Sequence, residues 1–298
     1  MSFEIFPSPA QISSSYRGIL LDAYGVFWGG NAFGPLPGAK EVMAEWVLQG
    51  KVVGILSNST QLAPKEISKI EAHGILLGKH FHFFITSGEL VRGVLLEQAL
   101  PFKTPRNTFC LLGNPHPRFS SHERLFEKTV YRETSDISEA DFLYISTPHL
   151  HGEDQVDPKL FQKEVEKIAE KKLPALCPNP DLFAHEGNPP KAVVRQGSIA
   201  ALYEQMGGEV FYFGKPHSIA YTAALKRFQE YGITALKEIL MIGDTPETDI
   251  RGAKNAGIPS ALLTQTGIMA DRIQRYGQQT ALKSLSPQDL PEYLIEHL

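Results

Sequence analysis

Cysteine is scarce in this chain: the 298 residues contain two, Cys110 and Cys177. Their spacing is not that of a metal knuckle, and two cysteines cannot build a disulfide framework. Both are expected as half-buried thiols in a reducing compartment. Neither sign of charge is in excess, with 29 Lys and Arg against 33 Asp and Glu and a formal net charge of -4. That balance leaves no basic footprint for nucleic acid. No run of like charge is long enough to make an interaction tail. Long apolar runs are also missing, and none approaches the ~20 residues that span a bilayer. The opening segment MSFEIFPSPAQISSSY lacks the basic-then-apolar order of a secretory signal. The expectation is a cytoplasmic protein with no nucleic-acid or membrane partner. What is present is ordinary globular material, 42% hydrophobic and 21% charged, in a chain long enough for two domains.

Short apolar runs alternate with helical patterns. Gly18 to Asp22 reads as a buried strand, followed by a helix over about Ala39 to Leu48 with Gly50 just beyond it. A second strand, Val52 to Leu56, ends at Ser57. A helix then begins at Pro64, runs through Glu71 and stops near Gly74. Phe81 to Ile85 reads as a third strand, with Ser87 placed to cap the next helix. The same alternation returns at Val210–Phe213, Ile239–Ile242 and Ser260–Leu263. Strand–helix alternation with near-continuous apolar strands predicts an α/β fold whose parallel sheet is covered by helices. The middle has its own apolar runs, at Thr108–Leu112, Phe142–Ile145 and Ala175–Cys177. It also has loop-forming stretches, Gly113-Asn114-Pro115-His116-Pro117 and Gly187-Asn188-Pro189-Pro190. It is read as an α/β domain over 96–199 inserted into a core made of 1–95 and 200–298.

Four short motifs fall at the carboxyl ends of expected core strands, where open α/β sheets bind their ligands. Leu21-Asp22-Ala23-Tyr24-Gly25-Val26 brings a carboxylate out of a buried strand, where an unpaired charge is costly. Taken alone it could be an ordinary turn. Leu56-Ser57-Asn58-Ser59-Thr60 offers donors to an anion, although such residues also fill turns for local reasons. Gly214-Lys215-Pro216 brings a cation to the same edge. Met241-Ile242-Gly243-Asp244-Thr245-Pro246-Glu247-Thr248-Asp249 holds two acids across one loop. Hard oxygen ligands of that kind suit Mg²⁺. Asp249 could also cap the helix that ends near Gly257.

In this order, the four motifs resemble those of the haloacid dehalogenase (HAD) superfamily. Three further features resemble its class IIA branch, the NagD-like sugar phosphatases and p-nitrophenyl phosphatases. They are Gly34-Pro35-Leu36-Pro37-Gly38-Ala39 ahead of the first helix, the insertion between the second and third motifs, and Pro178-Asn179-Pro180-Asp181 inside it. The resemblance implies a HAD-like, Rossmann-like core with an α/β cap. It implies Mg²⁺-dependent hydrolysis of a small phosphorylated metabolite, an aryl or sugar-like phosphate ester, through an aspartyl phosphate. Asp22 would be the nucleophile. Ser57, Asn58 and Lys215 would hold the phosphate. Asp22, Asp244, Asp249 and the backbone carbonyl of Tyr24 would hold the metal, and Asn179 and Asp181 would mark the substrate loop of the cap. Class II caps often take part in dimer contacts, so a homodimer is compatible with the resemblance.

One position departs from the family. Most of its phosphatases carry a second Asp two residues after the nucleophile, which protonates the leaving group and then activates water. Here that residue is Tyr24. A phenol of pKa ~10 is a poor acid–base group at neutral pH, and loss of such a group typically costs about 10²–10⁴ in rate. Two alternatives stay open at this point: a weakly active or inactive phospho-ligand binding protein, and, with less in its favour, a 2-haloacid dehalogenase, whose halide needs no proton. Against the dehalogenase stand the two acids of the fourth motif, since halide displacement needs no metal. His217 could sit near the site or face solvent at a helix start. His149 and His151 are expected in a solvated loop, and Phe27 and Trp28 could line a pocket or pack in the core.

Overall fold

The computed structural model describes residues 5–30, 33–117, 121–186 and 191–298. The expected turn at 187–190 lies outside them. Among the described residues the strands, in chain order, begin with β1 (Ile5–Phe6), β2 (Gly18–Leu21), β3 (Val52–Ser57) and β4 (Phe83–Thr86). The middle of the chain holds β5 (Thr108–Leu112), β6 (Arg132–Glu133), β7 (Phe142–Ile145) and β8 (Ala175–Cys177). Next come β9 (Phe183–Glu186), β10 (Lys191–Val194) and β11 (Val210–Tyr212). The last three are β12 (Ile239–Gly243), β13 (Ser260–Leu263) and β14 (Tyr293–Ile295).

The chain divides into two compact units. The first comprises Met1–Ser57, Ala63–Ile85 and Lys215–Leu298; the second comprises Asn58–Leu62 and Thr86–Gly214. The first is built on a seven-stranded sheet in the order β1-β14-β13-β12-β2-β3-β4. Its pairings from β1 through to β3 are parallel. The central strands β2 and β12 are buried along their whole length, so their Gly-Ile-Leu-Leu and Ile-Leu-Met-Ile-Gly sequences show no alternation. The helix Ala39–Leu48 lies where its spacing predicts. It buries Ala39, Met43 and Trp46 in the core with Ile19, Leu21, Val53 and Ile55. Each large side chain buried in this way contributes roughly 1.5–3 kcal/mol. Trp46 Nε1 also donates to Ser13 Oγ at 3.2 Å, which satisfies its one polar atom.

The second unit has a five-stranded sheet in the order β11-β8-β7-β5-β6, with parallel pairings, and an antiparallel β9–β10 pair. Its own core gathers Leu143, Ile145, Val165, Cys177 and Tyr203. Four features differ from the sequence reading. Val210–Tyr212, expected among the core strands, pairs with β8 in this second sheet, since an apolar strand of three residues carries no mark of which sheet it will join. The unit also reaches beyond the expected segment 96–199, to Thr86 and Gly214. At its early end the helix Ser87–Leu96 is tied in by Arg92, whose Nη1 donates to the carbonyls of Arg124, Leu125 and Glu127. Thr86, rather than the expected Ser87, caps that helix: its Oγ1 accepts from Glu89 N at 3.0 Å. Ser87 is already helical, and its hydroxyl donates to Ser59 O. Both cysteines are fully buried rather than half-buried.

Candidate active site

Strand register assembles the site. Leu21 on β2 pairs with Ile242 on β12, so Asp22 and Asp244 leave adjacent strands at the same edge. Asp22 N donates to Ile242 O at 3.0 Å, which pins the end of the strand. After Asp244 the chain makes one wide helical turn, Pro246–Ile250, that brings Asp249 back beneath the strand end. Wide turns of this kind recur at functional sites. Asp249 Oδ2 accepts the N–H groups of Asp244 and Thr245 at 3.1 and 3.0 Å. The helix Arg251–Ala256 has Ile250 at its cap position, so Asp249 holds the loop rather than capping that helix. Tyr221 closes the floor, its hydroxyl donating to Asp249 O at 2.8 Å.

Lys215 is almost wholly buried. Its ammonium pairs with Asp22 Oδ1 and lies 2.8 Å from Asp249 Oδ1. Asp22, Asp244 and Asp249 each offer an oxygen within 4.8 Å of the others. Three carboxylates therefore face one lysine. Burial pushes the Asp244 carboxyl well above its usual range, and the negative charges of Asp22 and Asp249 add to this; the Ile268 N–H and Lys215 act in the opposite direction. A cluster short of positive charge and made of hard oxygen donors fits a divalent cation such as Mg²⁺.

Two glycines make room for Asp244. Gly25 and Gly267 both have positive φ, +78° and +63°, and a Cβ on either would strike Asp244 Oδ2. In that space Ile268 N donates to Asp244 Oδ2 at 2.7 Å, and Thr245 Oγ1 donates to Oδ1 at 3.1 Å. Nothing in the sequence singles out Gly267 or Ile268, because they lie 23 and 24 residues beyond the acid they hold.

The other candidates are placed as follows. Ser57 ends β3, next to β2, and is buried. Asn58 belongs to the second unit, where its amide donates to Asp181 Oδ1 at 2.9 Å. Asn179 Oδ1 accepts Asp181 N at 2.9 Å, so the Asn-Pro-Asp segment is braced by its own side chains. Tyr24 is 38% exposed, and its hydroxyl accepts from Lys69 Nζ at 2.6 Å, a partner that sequence spacing does not reveal. Phe27 and Trp28 are buried in the core. His217 stands at the start of the helix Ser218–Glu230, half-buried and making no side-chain cap bond. His149 lies within hydrogen-bonding distance of Pro115 O and accepts Gly152 N, contacts local to its loop. Among the described residues, the Asp22–Asp244–Asp249 group is the cluster with metal-binding geometry.

Residues 212–296 match the model of the HAD-hydrolase-like family. A cardiolipin synthase/mitochondrial hydrolase fusion protein of Schizosaccharomyces pombe is 31% identical over 180 residues, covering 53% of this chain and 29% of that one. A dihydroxyacetone phosphatase of Corynebacterium glutamicum is 34% identical over 104 residues, covering 34% and 35%. The chain thus spans about a third of the length of these curated relatives. A solved haloacid dehalogenase-like hydrolase from Brucella suis superposes with a TM-score of 0.78 over 98% of this chain and 99% of that one, at 21% identity. NagD from Escherichia coli K-12 superposes at 0.59 over 94% and 96%, at 20% identity. The fold is thus that of these solved HAD-like hydrolases, and the C-terminal part of the chain, residues 212–296, is similar to the HAD-hydrolase-like family.

Proposed function

We propose that the chain is a Mg²⁺-dependent phosphohydrolase acting on a small phosphate ester, sugar-like or aryl, with Asp22 as nucleophile. The observation that carries this reading is the convergence of Asp22, Asp244, Asp249 and Lys215 on one sheet edge. Asp22 attacks phosphorus and forms an aspartyl phosphate, which splits one hard displacement into two easier ones. Lys215 and the Ser57 hydroxyl hold phosphoryl oxygens and offset the charge that spreads over them in the transition state. Mg²⁺, held by Asp22, Asp244, Asp249 and the backbone carbonyl of Tyr24, would neutralise the repulsion between the carboxylates and the phosphate dianion. We assign substrate choice to Asn179 and Asp181, with Asn58 as the residue that orients Asp181.

The test is hydrolysis of p-nitrophenyl phosphate with and without Mg²⁺, for the wild type and for Asp22→Asn. Mg²⁺-stimulated turnover that vanishes in the variant is expected. Activity of Asp22→Asn within tenfold of the wild type would refute covalent catalysis by Asp22. The Tyr in place of a carboxylic acid favours a second reading, a phospho-ligand binding protein on the same fold. Tight phosphate binding without turnover would select it.

A further inference from the structure

We infer that Tyr221, given room by Gly252, is the positioning residue for Asp249: its hydroxyl fixes the turn that aims the Asp249 carboxylate at the metal position. This rests on the phosphatase reading above, in which Asp249 is a Mg²⁺ ligand. Tyr221 lies in the first turn of the helix Ser218–Glu230 and is 1% exposed. Its hydroxyl donates to Asp249 O at 2.8 Å, and Thr248 O lies 3.4 Å from the same atom. These two carbonyls are neighbours in the wide turn Pro246–Ile250. A buried tyrosine hydroxyl needs a partner, and this one takes the backbone of the ligand residue itself.

Gly252 makes that contact possible. A Cβ at this position would lie 2.2 Å from Tyr221 Cε2 and 2.7 Å from its hydroxyl oxygen. Gly252 sits in the helix Arg251–Ala256, where glycine is a poor choice for the helix itself. The close approach of the phenol is what calls for it. Gly243, at the end of β12, leaves space on the opposite side, where a Cβ would lie 2.2 Å from Asp249 Oδ2.

The carboxylate is thereby confined to a slot with its two oxygens in different roles. Oδ2 accepts the N–H groups of Asp244 and Thr245. Oδ1 lies 2.8 Å from the Lys215 ammonium, close enough for charge attraction but off the direction of a hydrogen bond, and is buried without any other partner. It is the oxygen left to face a cation. A side chain goes where its backbone carries it, and a peptide plane tied at its carbonyl cannot rotate without breaking that tie. Loss of the Tyr221 hydroxyl releases the plane, and the wide turn is then free to tighten toward ordinary helical geometry. The Asp249 carboxylate swings with it, away from Lys215 and the other two acids.

The probe is Mg²⁺ itself, titrated calorimetrically into the substrate-free protein, so that binding is read without turnover. Tyr221→Phe keeps the ring and removes only the hydroxyl; it should weaken Mg²⁺ binding by about 10-fold or more, as loss of a group that orients a metal ligand does. Gly252→Ala, whose methyl pushes the phenol aside, should weaken it to a similar degree. Asp249→Asn should weaken binding too, and adding Tyr221→Phe to it should bring no further loss, because the tyrosine acts through Asp249 alone. A purely structural role would lower Tm and leave Mg²⁺ affinity where it was. Binding by Tyr221→Phe within about twofold of the wild type, or an additive loss in the double variant, would overturn the assignment and leave the phosphatase reading in place. If Tyr221→Phe does not fold, Gly252→Ala decides by the same criterion. A wild type that binds no Mg²⁺ overturns the assignment as well, and one that also fails to hydrolyse p-nitrophenyl phosphate overturns both.

Discussion

At the scale of single residues, the site depends on groups that carry no charge of their own. Gly267 is the sharpest case. Its φ of +63° is a left-handed conformation, and a Cβ there would overlap Asp244 Oδ2. Gly267→Ala should cost roughly 1–2 kcal/mol of stability through the backbone alone. The displaced carboxylate should cost more in activity, about 10²-fold in turnover, as an ångström of misplacement can. Thermal melting set beside kcat checks this; equal losses in the two would mean that Gly267 serves the fold and not the site. Asp22, Lys215 and Asp244 could be picked out as candidates in the sequence because each stands at or just past an expected strand end, and Asp249 because it closes the same loop as Asp244. Lys69 and Gly267 were not legible, because their contacts cross 45 and 23 residues of chain.

At the scale of elements, helix ends and ion pairs hold the strands that present the site. Thr86 caps the helix Ser87–Leu96 through its side chain, so Thr86→Ala should destabilise by about 1 kcal/mol, read from denaturant midpoints. Arg251, at the start of the helix Arg251–Ala256, grips Asp289 with two bonds of 2.8 and 2.9 Å. Burial would raise the Asp289 carboxyl, but the hydrogen bonds from Arg251 and Ser286, together with the nearby guanidinium charges, outweigh it and hold the group below its usual range. A carboxyl depressed in the folded state binds its proton more readily when unfolded. Its contribution is therefore complete above the unfolded value of about 4 and is lost as pH falls through the lower folded value. Asp289→Asn should cost about 1–3 kcal/mol at pH 7, given that Arg251 is a third exposed. The deficit against the wild type should shrink as the pH falls below 4, and chemical denaturation at pH 7 and pH 3 measures both values. A deficit independent of pH would show that shape, not charge, carries the pair.

At the scale of the whole molecule, three carboxylates facing one lysine leave a repulsion that, on the function proposed here, bound Mg²⁺ would relieve. Mg²⁺ at about 100 times its Kd should add about 2.7 kcal/mol to the folded state, a rise of several degrees in Tm for a chain of this size. Asp244→Ala should abolish that response, and a melting curve with and without Mg²⁺ shows it; an undiminished shift in the variant would place the ion elsewhere. The sequence by itself determined the parallel α/β layout, the order of four polar strand ends and the acids and lysine that stand at them. These are local signals: apolar runs buried on both faces, glycines and prolines at turns, and polar residues just past a strand. It could not determine which sheet Val210–Tyr212 joins, or that Thr86 rather than Ser87 caps its helix. Nor could it determine that Asp249 turns inward to Lys215, or that Lys69 reaches the hydroxyl of Tyr24. Those outcomes were decided by the tertiary structure, because each depends on what a distant segment places alongside. A three-residue strand or a lone lysine has several partners of nearly equal local merit until the packed fold brings one of them within bonding distance.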